Sequence, residues 1–160
     1  MIYLYRKLDK YPLVELPTYQ TPGSIGIDLA AAQTTIIHPD EIALVPTGLV
    51  MRVQQPDNQN GEPLPDNRNF GYGLFLYARS SLARKHGLML SNNVGVVDFD
   101  YIGEDDEIML SLWNFTEGNV TVHAGQRIAQ AVIHQVLRPS LIEIDHAEVT
   151  NRGGFGSTGE

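Results

Sequence analysis

The 160-residue sequence has no cysteine, and this absence excludes disulfide bonds and thiol chemistry. It also has no apolar run near the roughly 20 residues of a membrane-spanning helix. The N-terminal segment MIYLYRKLDKYP lacks the apolar core and the small-residue cleavage site of a signal peptide. We therefore expect a protein without a membrane segment, in the cytoplasm or, if the chain is viral, in the host-cell cytoplasm.

Basic residues are scarce: 11 Lys and Arg stand against 19 Asp and Glu, for a formal net charge of −8. A protein whose main ligand is nucleic acid usually has the opposite balance. Any polyanion that this chain binds must therefore be small and held by local donors or through a metal. The five histidines lack metal-ligand spacing, and neither a P-loop nor a G-x-S-x-G nucleophile elbow is present.

The remaining sequence consists of short apolar runs separated by Gly, Pro, Asn and Asp, a rhythm typical of all-β proteins. Its length favours a single domain over residues 1–160, built as a β-sandwich or barrel. Only SSLARKHG predicts a helix, near residues 80–86, with Ser80 or Ser81 as N-cap and Gly87 as its end. The candidate strands are MIYLYRKL, TTIIHP, EIALVPTGLVMRV, GLFLYAR, LMLSN, EIMLSLWNF, NVTVHAG, RIAQAVIHQV and LIEID.

Two segments are predicted to be irregular. Residues 54–73 are rich in Pro, Asn and Gly and indicate an inserted loop, and loops of this length are usually functional or disordered. Residues 148–160 form a Gly-rich tail that contains RGGFGSTG. This tail can wrap phosphates with backbone N–H groups while Phe155 covers a base, or it can be an ordinary disordered terminus.

The segment GVVDFDYIGE (95–104) contains two aspartates and a tyrosine within four residues. In an extended strand Asp98 and Asp100 would share one face and Tyr101 would lie on the other, with Gly95 and Gly103 permitting a hairpin. One carboxylate can then act as a general base that orients a water, while the tyrosine offers a flat face to a ring. Spacing alone favours the simpler interpretation, a solvated acidic turn with a core tyrosine.

One further segment suggests an anion site, and two others place polar residues within apolar runs. In ARSSLARKHG, Arg79 and two serines stand at a helix start, which indicates an anion site or an ordinary capped helix. In PGSIGIDLAAA, Asp28 is the one charge in an apolar run and should be paired with a cation such as an arginine. In AGQRIAQAVI, Arg127 and Gln130 interrupt a strand.

Taken in order, these segments resemble the five motifs of the trimeric dUTPase family, the dUTP diphosphatases. The motifs are GSIGIDLAA, ARSSLARKHG, NNVGVVDFDYIGE, GQRIAQAVI and RGGFGSTG, and they span residues 23–159. The resemblance implies a jelly-roll-like protomer in a homotrimer with active sites at subunit interfaces. It also implies Mg²⁺-assisted hydrolysis of dUTP to dUMP and pyrophosphate, which limits uracil in DNA and supplies dUMP for dTTP synthesis.

The resemblance also implies roles for residues of the third motif. Asp98 would hold the water that attacks the α-phosphorus, and Tyr101 would pack against deoxyribose and exclude a 2′-hydroxyl. Asn92, with backbone groups such as those of Val97, would contact the uracil edge. Asp100 would shape the hairpin or support metal-bound waters.

The other four motifs would contribute the phosphate and base contacts. Arg79, Ser80 and Ser81 would bind the phosphate chain, Gln130 would contact phosphate or water, and Asp28 would orient the second-motif arginine. In the tail, Phe155 would close over uracil beside Gly156, with Ser157 and Thr158 on the γ-phosphate. Thr150 occupies the usual arginine position of the fifth motif, so a γ-phosphate contact by Arg152 stays open.

There are two alternatives to this interpretation. The related dCTP deaminases have DPGF where this chain has DFDY, and they carry a general-base Glu where this chain has Ser111, so a deaminase would lack its base and this alternative is rejected. A regulatory binding protein that retains the fold is the other alternative, and the 54–73 segment would serve it.

Overall fold

The computed structural model describes residues 2–7, 9–55 and 70–146, which fold into strands with one short helix. The all-β prediction is therefore confirmed. No helix in these ranges is long and apolar enough to cross a membrane. The elements are β1 (Ile2–Arg6), β2 (Ile27–Ala30), β3 (Thr35–Ile37), β4 (Ile42–Pro46), β5 (Leu49–Val53), β6 (Phe70–Ala78), α1 (Leu82–His86), β7 (Leu88–Leu90), β8 (Gly95–Val97), β9 (Met109–Asn114), β10 (Val120–Val122) and β11 (Arg127–Leu137).

The strands form four antiparallel sheets in the described part of the chain. The largest has the order β2-β11-β6-β8, and a three-stranded sheet has the order β4-β9-β7. Two strand pairs, β1-β5 and β10-β3, complete the arrangement. Strand β11 is central to the largest sheet because it pairs with β2 between Arg127 and Ala131 and with β6 from Ala129 to Leu137.

The core lies between the sheets and is almost entirely aliphatic. Alternation of buried and partly exposed residues along β9 shows how one face of each strand turns inward. Burying this many aliphatic side chains supplies the main driving force for folding. The most deeply buried ones are Leu29, Ile37, Val45, Met51, Leu82, Leu88, Ile108, Leu110, Leu112, Val122 and Ile128.

Three strand predictions need correction. EIALVPTGLVMRV forms two strands rather than one, because the chain bends at Gly48, which has a φ of 70°, and the two strands pair with different partners. Residues 70–73 of the predicted loop belong to β6, where Gly71 and Gly73 are buried and pair with β11. Residues 54 and 55 lie outside any strand, as predicted, and residues 56–69 lie outside the described part of the chain. LIEID is not a strand, because no described strand pairs with it.

The helix prediction is confirmed, with one qualification at its start. Gly87 ends α1 in the left-handed conformation, with a φ of 63°. Ser81 occupies the N-cap position, but its side chain makes no capping hydrogen bond.

Of the two interpretations of GVVDFDYIGE, the hairpin is wrong and the solvated acidic turn is confirmed for Asp98 and Asp100, although Tyr101 is 39% exposed and is not a core residue. Strand β8 ends at Val97 and pairs with β6, so Asp98 and Asp100 lie in a turn rather than on one face of a strand. Gly95 is required for close packing, because a Cβ there would lie 2.9 Å from the Leu76 Cβ.

Candidate active site

A β-bulge in β11 brings the polar residues of the fourth motif to one face of the sheet. The register with β2 shifts between Arg127 and Ala129, so that one extra residue is inserted. In a regular strand, residues three apart face opposite sides, but the shift turns Arg127 toward the face that carries Gln130. Gln130 is the direct cross-strand partner of Asp28. The bulge therefore concentrates these three side chains.

Asp28 binds two arginines in this cluster. Its Oδ1 lies 3.1 Å from Arg79 Nε and its Oδ2 lies 3.2 Å from Arg127 Nη1, and its side chain is 11% exposed. The predicted pairing of Asp28 with an arginine is present. Arg79 also donates from Nη1 to the Arg127 carbonyl at 3.1 Å, and Arg127 donates to Gln20 Oε1. These contacts fix both guanidinium groups beside each other.

The remaining second- and fourth-motif residues surround this cluster. Gln130 donates from Nε2 to the Ala78 carbonyl at 3.2 Å, which places its amide beside the end of β6. Ser80 is exposed and Ser81 is half-buried, both directly after Arg79. Within the described residues, the Ser81 side chain makes no capping hydrogen bond to α1.

The third motif lies at the opposite end of β6. The exposed Asp98 directly follows β8 and lines a cleft of about 800 Å³. This cleft lies between β6, the end of β11 and the turn after β8, and it is also lined by Gly73, Phe75, Val97 and Asp100. A carboxylate at the edge of an open cleft can bind a water and accept its proton.

Tyr101 is held at both ends beside this turn. Its backbone N–H donates to the Asp98 carbonyl at 3.3 Å, and its hydroxyl donates to the Glu107 carbonyl at 3.0 Å. The ring is 39% exposed and can present one face to a ligand.

Two other third-motif residues are arranged differently. Asn92 is exposed in the turn between β7 and β8, where its carbonyl accepts from Val94 N–H at 2.6 Å. Val97 is the last residue of β8 and pairs with Leu74. Asp100 is exposed, and its carbonyl accepts the N–H of Ile102 at 3.0 Å, which helps close the turn.

The turn that carries Tyr101 is tied to the N-terminal segment. Lys7 Nζ donates to the Glu104 carbonyl at 2.9 Å and to Asp105 Oδ1 at 2.8 Å. The hydrogen bond from Lys7 lowers the pKa of Asp105, and the same bond raises the pKa of Lys7. The sequence alone does not predict this contact, because the two partners are 98 residues apart.

The two clusters are far apart in one chain. Val97 pairs with Leu74, so Asp98 lies beside Gly73, six residues along β6 from Arg79. At about 3.3 Å per residue in a strand, this separation is roughly 20 Å. The described residues of one chain therefore do not bring Arg79 and Asp98 to the same small ligand. The fifth-motif residues Arg152, Phe155, Gly156, Ser157 and Thr158 lie outside the described residues.

Comparison with solved structures identifies the fold. A dUTPase of Staphylococcus bacteriophage 80alpha, bound to dUpNHpp, matches with a TM-score of 0.74, covering 99% of this chain and 98% of that chain at 21% identity. A dUTPase from Streptococcus mutans matches with a TM-score of 0.63 at 33% identity, covering 78% of this chain and 88% of that chain. The protein thus falls in the class of small all-β proteins with the dUTPase fold.

Sequence comparison gives the family itself. The dUTPase family model matches residues 68–159. A deoxyuridine 5'-triphosphate nucleotidohydrolase of Paraburkholderia xenovorans is 39% identical over 157 residues, which are 96% of this chain and 95% of that protein. Its counterpart in Aeromonas hydrophila is 40% identical over 94% of this chain and 88% of that protein. The chain belongs to the dUTPase family.

Proposed function

We propose that this protein hydrolyses dUTP to dUMP and pyrophosphate. The observation that carries the proposal is family membership over almost the whole chain, with relatives named for this nucleotidohydrolase activity. The matches cover 96% and 94% of this chain, a span that includes both residue clusters described above.

The chemical step is assigned to Asp98. Its carboxylate binds a water and accepts a proton as the water oxygen bonds to the α-phosphorus. The bond from the α-phosphorus to the bridging oxygen then breaks, and pyrophosphate leaves. The exposed position of Asp98 beside an open cleft supports this role.

The nucleoside is assigned to the other third-motif residues. Tyr101 packs its ring against deoxyribose and leaves no space for a 2′-hydroxyl. Asn92 and the backbone of Val97 contact the uracil edge. The exposed position of Asn92 and the fixed position of the Tyr101 ring support these assignments.

The phosphates are assigned to the cluster at the other end of β6. Arg79, oriented by Asp28, and the hydroxyls of Ser80 and Ser81 bind the phosphate chain, and Gln130 adds a polar contact. Donors fixed before the substrate binds stabilise charge that develops during the reaction, because they need no reorganisation. The ion pair between Asp28 and Arg79 supports this part of the proposal.

The substrate contacts of the C-terminal tail are assigned only from its resemblance to the fifth motif. Phe155 covers the uracil beside Gly156, while Ser157 and Thr158 bind the γ-phosphate. Arg152 is a candidate for a further contact with that phosphate.

Mg²⁺ fits this site as a partner of the substrate. Within residues 2–7, 9–55 and 70–146, no group of three or more His, Asp or Glu side chains is arranged to hold a metal ion. A bound Mg²⁺ would be ligated mainly by phosphate oxygens and waters, and Asp100 would support those waters. When bound, Mg²⁺ neutralises phosphate charge.

The active form is proposed to be a homotrimer with sites between subunits. The separation of Arg79 from Asp98 along β6 supports this, because a neighbouring subunit can supply the missing half of each site. Residues 138–146 add support, since Leu141 is 97% exposed and Ile142 is 81% exposed in the single chain. Apolar side chains in a strand-like sequence are more stable when a partner covers them.

The decisive test is substrate turnover with Mg²⁺. Purified protein is incubated separately with dUTP, dCTP, dTTP and UTP, and pyrophosphate and ammonia are measured together. Pyrophosphate from dUTP alone is the expected result. Ammonia from dCTP would favour the deaminase alternative, and no product from any nucleotide would favour a binding protein.

A further inference from the structure

The orientation of the Tyr101 ring depends on the position of one carbonyl group. The ring is bonded to Cβ at one end, and its hydroxyl donates to the Glu107 carbonyl at the other, at 3.0 Å. The intervening residues 102–106 form turns without a strand or helix. The orientation of the Tyr101 ring therefore depends on the contacts that hold the Glu107 carbonyl in place.

The Glu107 side chain is unusual for a residue in an acidic turn because it is buried. The residue is 6% exposed, whereas its neighbours Glu104 and Asp105 are exposed. Glutamate is almost never buried without partners, since removing a carboxylate from water is costly. A structural reason for its burial should therefore exist.

That reason is found in the turn between β4 and β5. Glu107 Oε1 accepts the Gly48 N–H at 2.8 Å, and Glu107 Oε2 lies 3.5 Å from Lys10 Nζ. Gly48 has a φ of 70°, and a Cβ there would lie 2.6 Å from the Val14 side chain, so this N–H is presented by a turn that requires glycine. The carboxylate thus connects the Tyr101 turn to two other segments of the fold.

The backbone beside Glu107 is fixed by the same turn. Ile108 N–H donates to the Leu49 carbonyl at 2.8 Å, and the Thr47 hydroxyl donates to the Ile108 carbonyl at 2.7 Å. The carbonyl that receives the Tyr101 hydroxyl therefore belongs to a rigid part of the molecule, although the Tyr101 turn itself is exposed. The Tyr101 ring is therefore positioned relative to the β4–β5 turn, through the backbone of Glu107 and Ile108.

We infer that Glu107 is a positioning residue that fixes the Tyr101 ring and thereby sets the preference of the site for deoxyribose over ribose. The inference rests on the proposed function, in which this ring packs against the sugar. Glu107 itself contacts no substrate. A ring held at both ends cannot move aside for a 2′-hydroxyl, whereas a ring held only at Cβ can.

Glu107→Asp tests the inference because it keeps the charge and shortens the side chain by one methylene. The aspartate cannot reach Gly48 N–H from the same backbone position, so Glu107 loses its side-chain link to the β4–β5 turn, and only the hydrogen bonds of Ile108 then hold the neighbouring backbone. We expect the dUTP-to-UTP ratio of kcat/KM to fall at least about tenfold, since small misplacements have large effects in active sites. Glu107→Gln keeps both the length and an acceptor oxygen and should retain most of the ratio.

Glu104→Asp is the matched control. It makes the same chemical change three residues away, on an exposed side chain with no hydrogen bond of its own within the described residues. Its ratio should equal that of the wild type. A fall in kcat/KM of Glu107→Asp that is equal for dUTP and UTP would contradict the inference, because it would indicate only a loss of stability.

Tyr101→Phe provides a second measurement that leaves the Glu107 side chain intact. It removes the hydroxyl and keeps the ring, so it should lower the ratio as Glu107→Asp does. The double variant should lose no more than the stronger single variant, because both act through the same ring. Additive losses in the double variant would overturn the inference. An unchanged dUTP-to-UTP ratio in Tyr101→Phe would also overturn it, and this measurement is still possible if Glu107→Asp fails to fold.

Binding of dUDP and UDP, measured by calorimetry on the same variants, separates the inference from the proposed reaction. If the wild type binds dUDP in preference to UDP but does not hydrolyse dUTP, the proposed function fails. The inference is then tested by whether Glu107→Asp lowers the ratio of dUDP affinity to UDP affinity. If the wild type hydrolyses dUTP and Glu107→Asp retains the full preference in both assays, the inference alone fails.

Discussion

At the scale of single residues, Asp98 is expected to separate binding from turnover. Asp98→Asn keeps the shape of the side chain and removes the proton acceptor. Turnover of dUTP should fall by roughly 10²–10⁴-fold, the usual contribution of a general base, while nucleotide affinity stays near that of the wild type. Steady-state kinetics with calorimetric binding measures both quantities, and near-normal turnover would show that the base lies elsewhere.

Asp100→Asn is the natural comparison for Asp98→Asn. The two aspartates are both exposed and only two residues apart, so the substitutions change charge equally in the same turn. Because Asp100 is assigned no proton transfer, its loss should be much smaller. Equal losses would indicate a general electrostatic effect of the turn instead of a specific base.

The contact between Lys7 and Asp105 should give a stability contribution that depends on pH. The pKa of Asp105 is lowered from 3.8 by the hydrogen bond from Lys7, so this contribution is present above about pH 4 and is lost as the pH falls through the folded-state value. The pKa of Lys7 is raised from 10.5, so the contribution persists up to that pH and is lost as the pH rises further.

Asp105→Asn measures this contribution. Its free energy of unfolding should lie slightly below that of the wild type between these limits and converge with it in acid. The difference should be small and decrease with salt, because Asp105 is fully exposed. A difference that persists at pH 2 would show that the ion pair is not its cause.

The sequence predicts a contact of a single residue where the chemistry of that residue requires a partner. A single charge in the apolar run around Asp28 required a cation, and the structure supplies Arg79. The second cation, Arg127, could not be predicted as a partner, because its direction depends on the bulge in β11. Bulges arise from strand pairing between distant segments, and one sequence does not specify that register.

At the scale of structural elements, Asn114 is expected to be a main determinant of stability. It is completely buried at the end of β9, where Nδ2 donates to the carbonyls of Ile37 and Gly118 and Oδ1 accepts the Thr116 N–H. Asn114→Ala leaves these groups unpaired. The free energy of unfolding should fall by about 2–4 kcal/mol, as expected for several buried unsatisfied groups.

Denaturant titration with Asn119→Ala as a control checks this prediction. Asn119 is exposed and bonds only to His38 within the described residues, so its replacement should change the unfolding midpoint little. Similar midpoints for the two variants would mean that water replaces the lost contacts of Asn114.

Gly71 in β6 is expected to control the turn that holds Asp98. A Cβ at this position would lie 2.6 Å from the Phe99 ring and 2.7 Å from Gln55 Oε1, so Gly71→Ala must displace the ring that directly follows Asp98. We expect kcat to fall about tenfold or more. Adding Phe99→Leu to Gly71→Ala should restore part of the loss, because the smaller side chain leaves room for the methyl group.

Gly118→Ala is the control for Gly71→Ala, since no atom lies within 4 Å of its added Cβ. The kcat values of Gly71→Ala, its double variant with Phe99→Leu, and Gly118→Ala test this prediction. If Gly71→Ala retains full kcat, Phe99 does not determine the position of Asp98.

Sequence patterns predicted most elements but not their partners. Alternating and β-branched runs identified most of the strands, although β4 and β5 were predicted as one and β8 was absent from the candidate strands, and Gly87 identified the end of α1. The pattern failed at residues 70–73 because Gly and aromatic residues resemble a loop until β11 is known to pair with them. It failed at LIEID for the opposite reason, since a strand-like sequence forms no strand without a partner in the same chain.

At the scale of the whole molecule, mixed oligomers should recover activity that neither parent has. Arg79→Ala lacks a phosphate contact and Asp98→Asn lacks the base. If each site combines these residues from two subunits, refolding an equal mixture should restore about a quarter of the wild-type activity, because half of the subunits supply each intact group. Activity of the refolded mixture, measured against each parent alone, checks this.

A mixture of Asp98→Asn with Asp98→Ala is the control, since both subunits lack the same group. It should regain nothing. If the mixture of Arg79→Ala and Asp98→Asn also regains nothing while it forms oligomers, each site lies within one subunit.

The central position of β11 has a consequence for biosynthesis. This strand is the last one in the described chain, yet it joins β2, about one hundred residues earlier, to β6. Neither β2 nor β6 can complete its pairing in the large sheet until residues 127–137 have left the ribosome. Contacts between such distant segments slow folding and expose unpaired strand edges meanwhile. A nascent chain that pauses before Arg127 is therefore the state in which we expect this protein to depend most on chaperones.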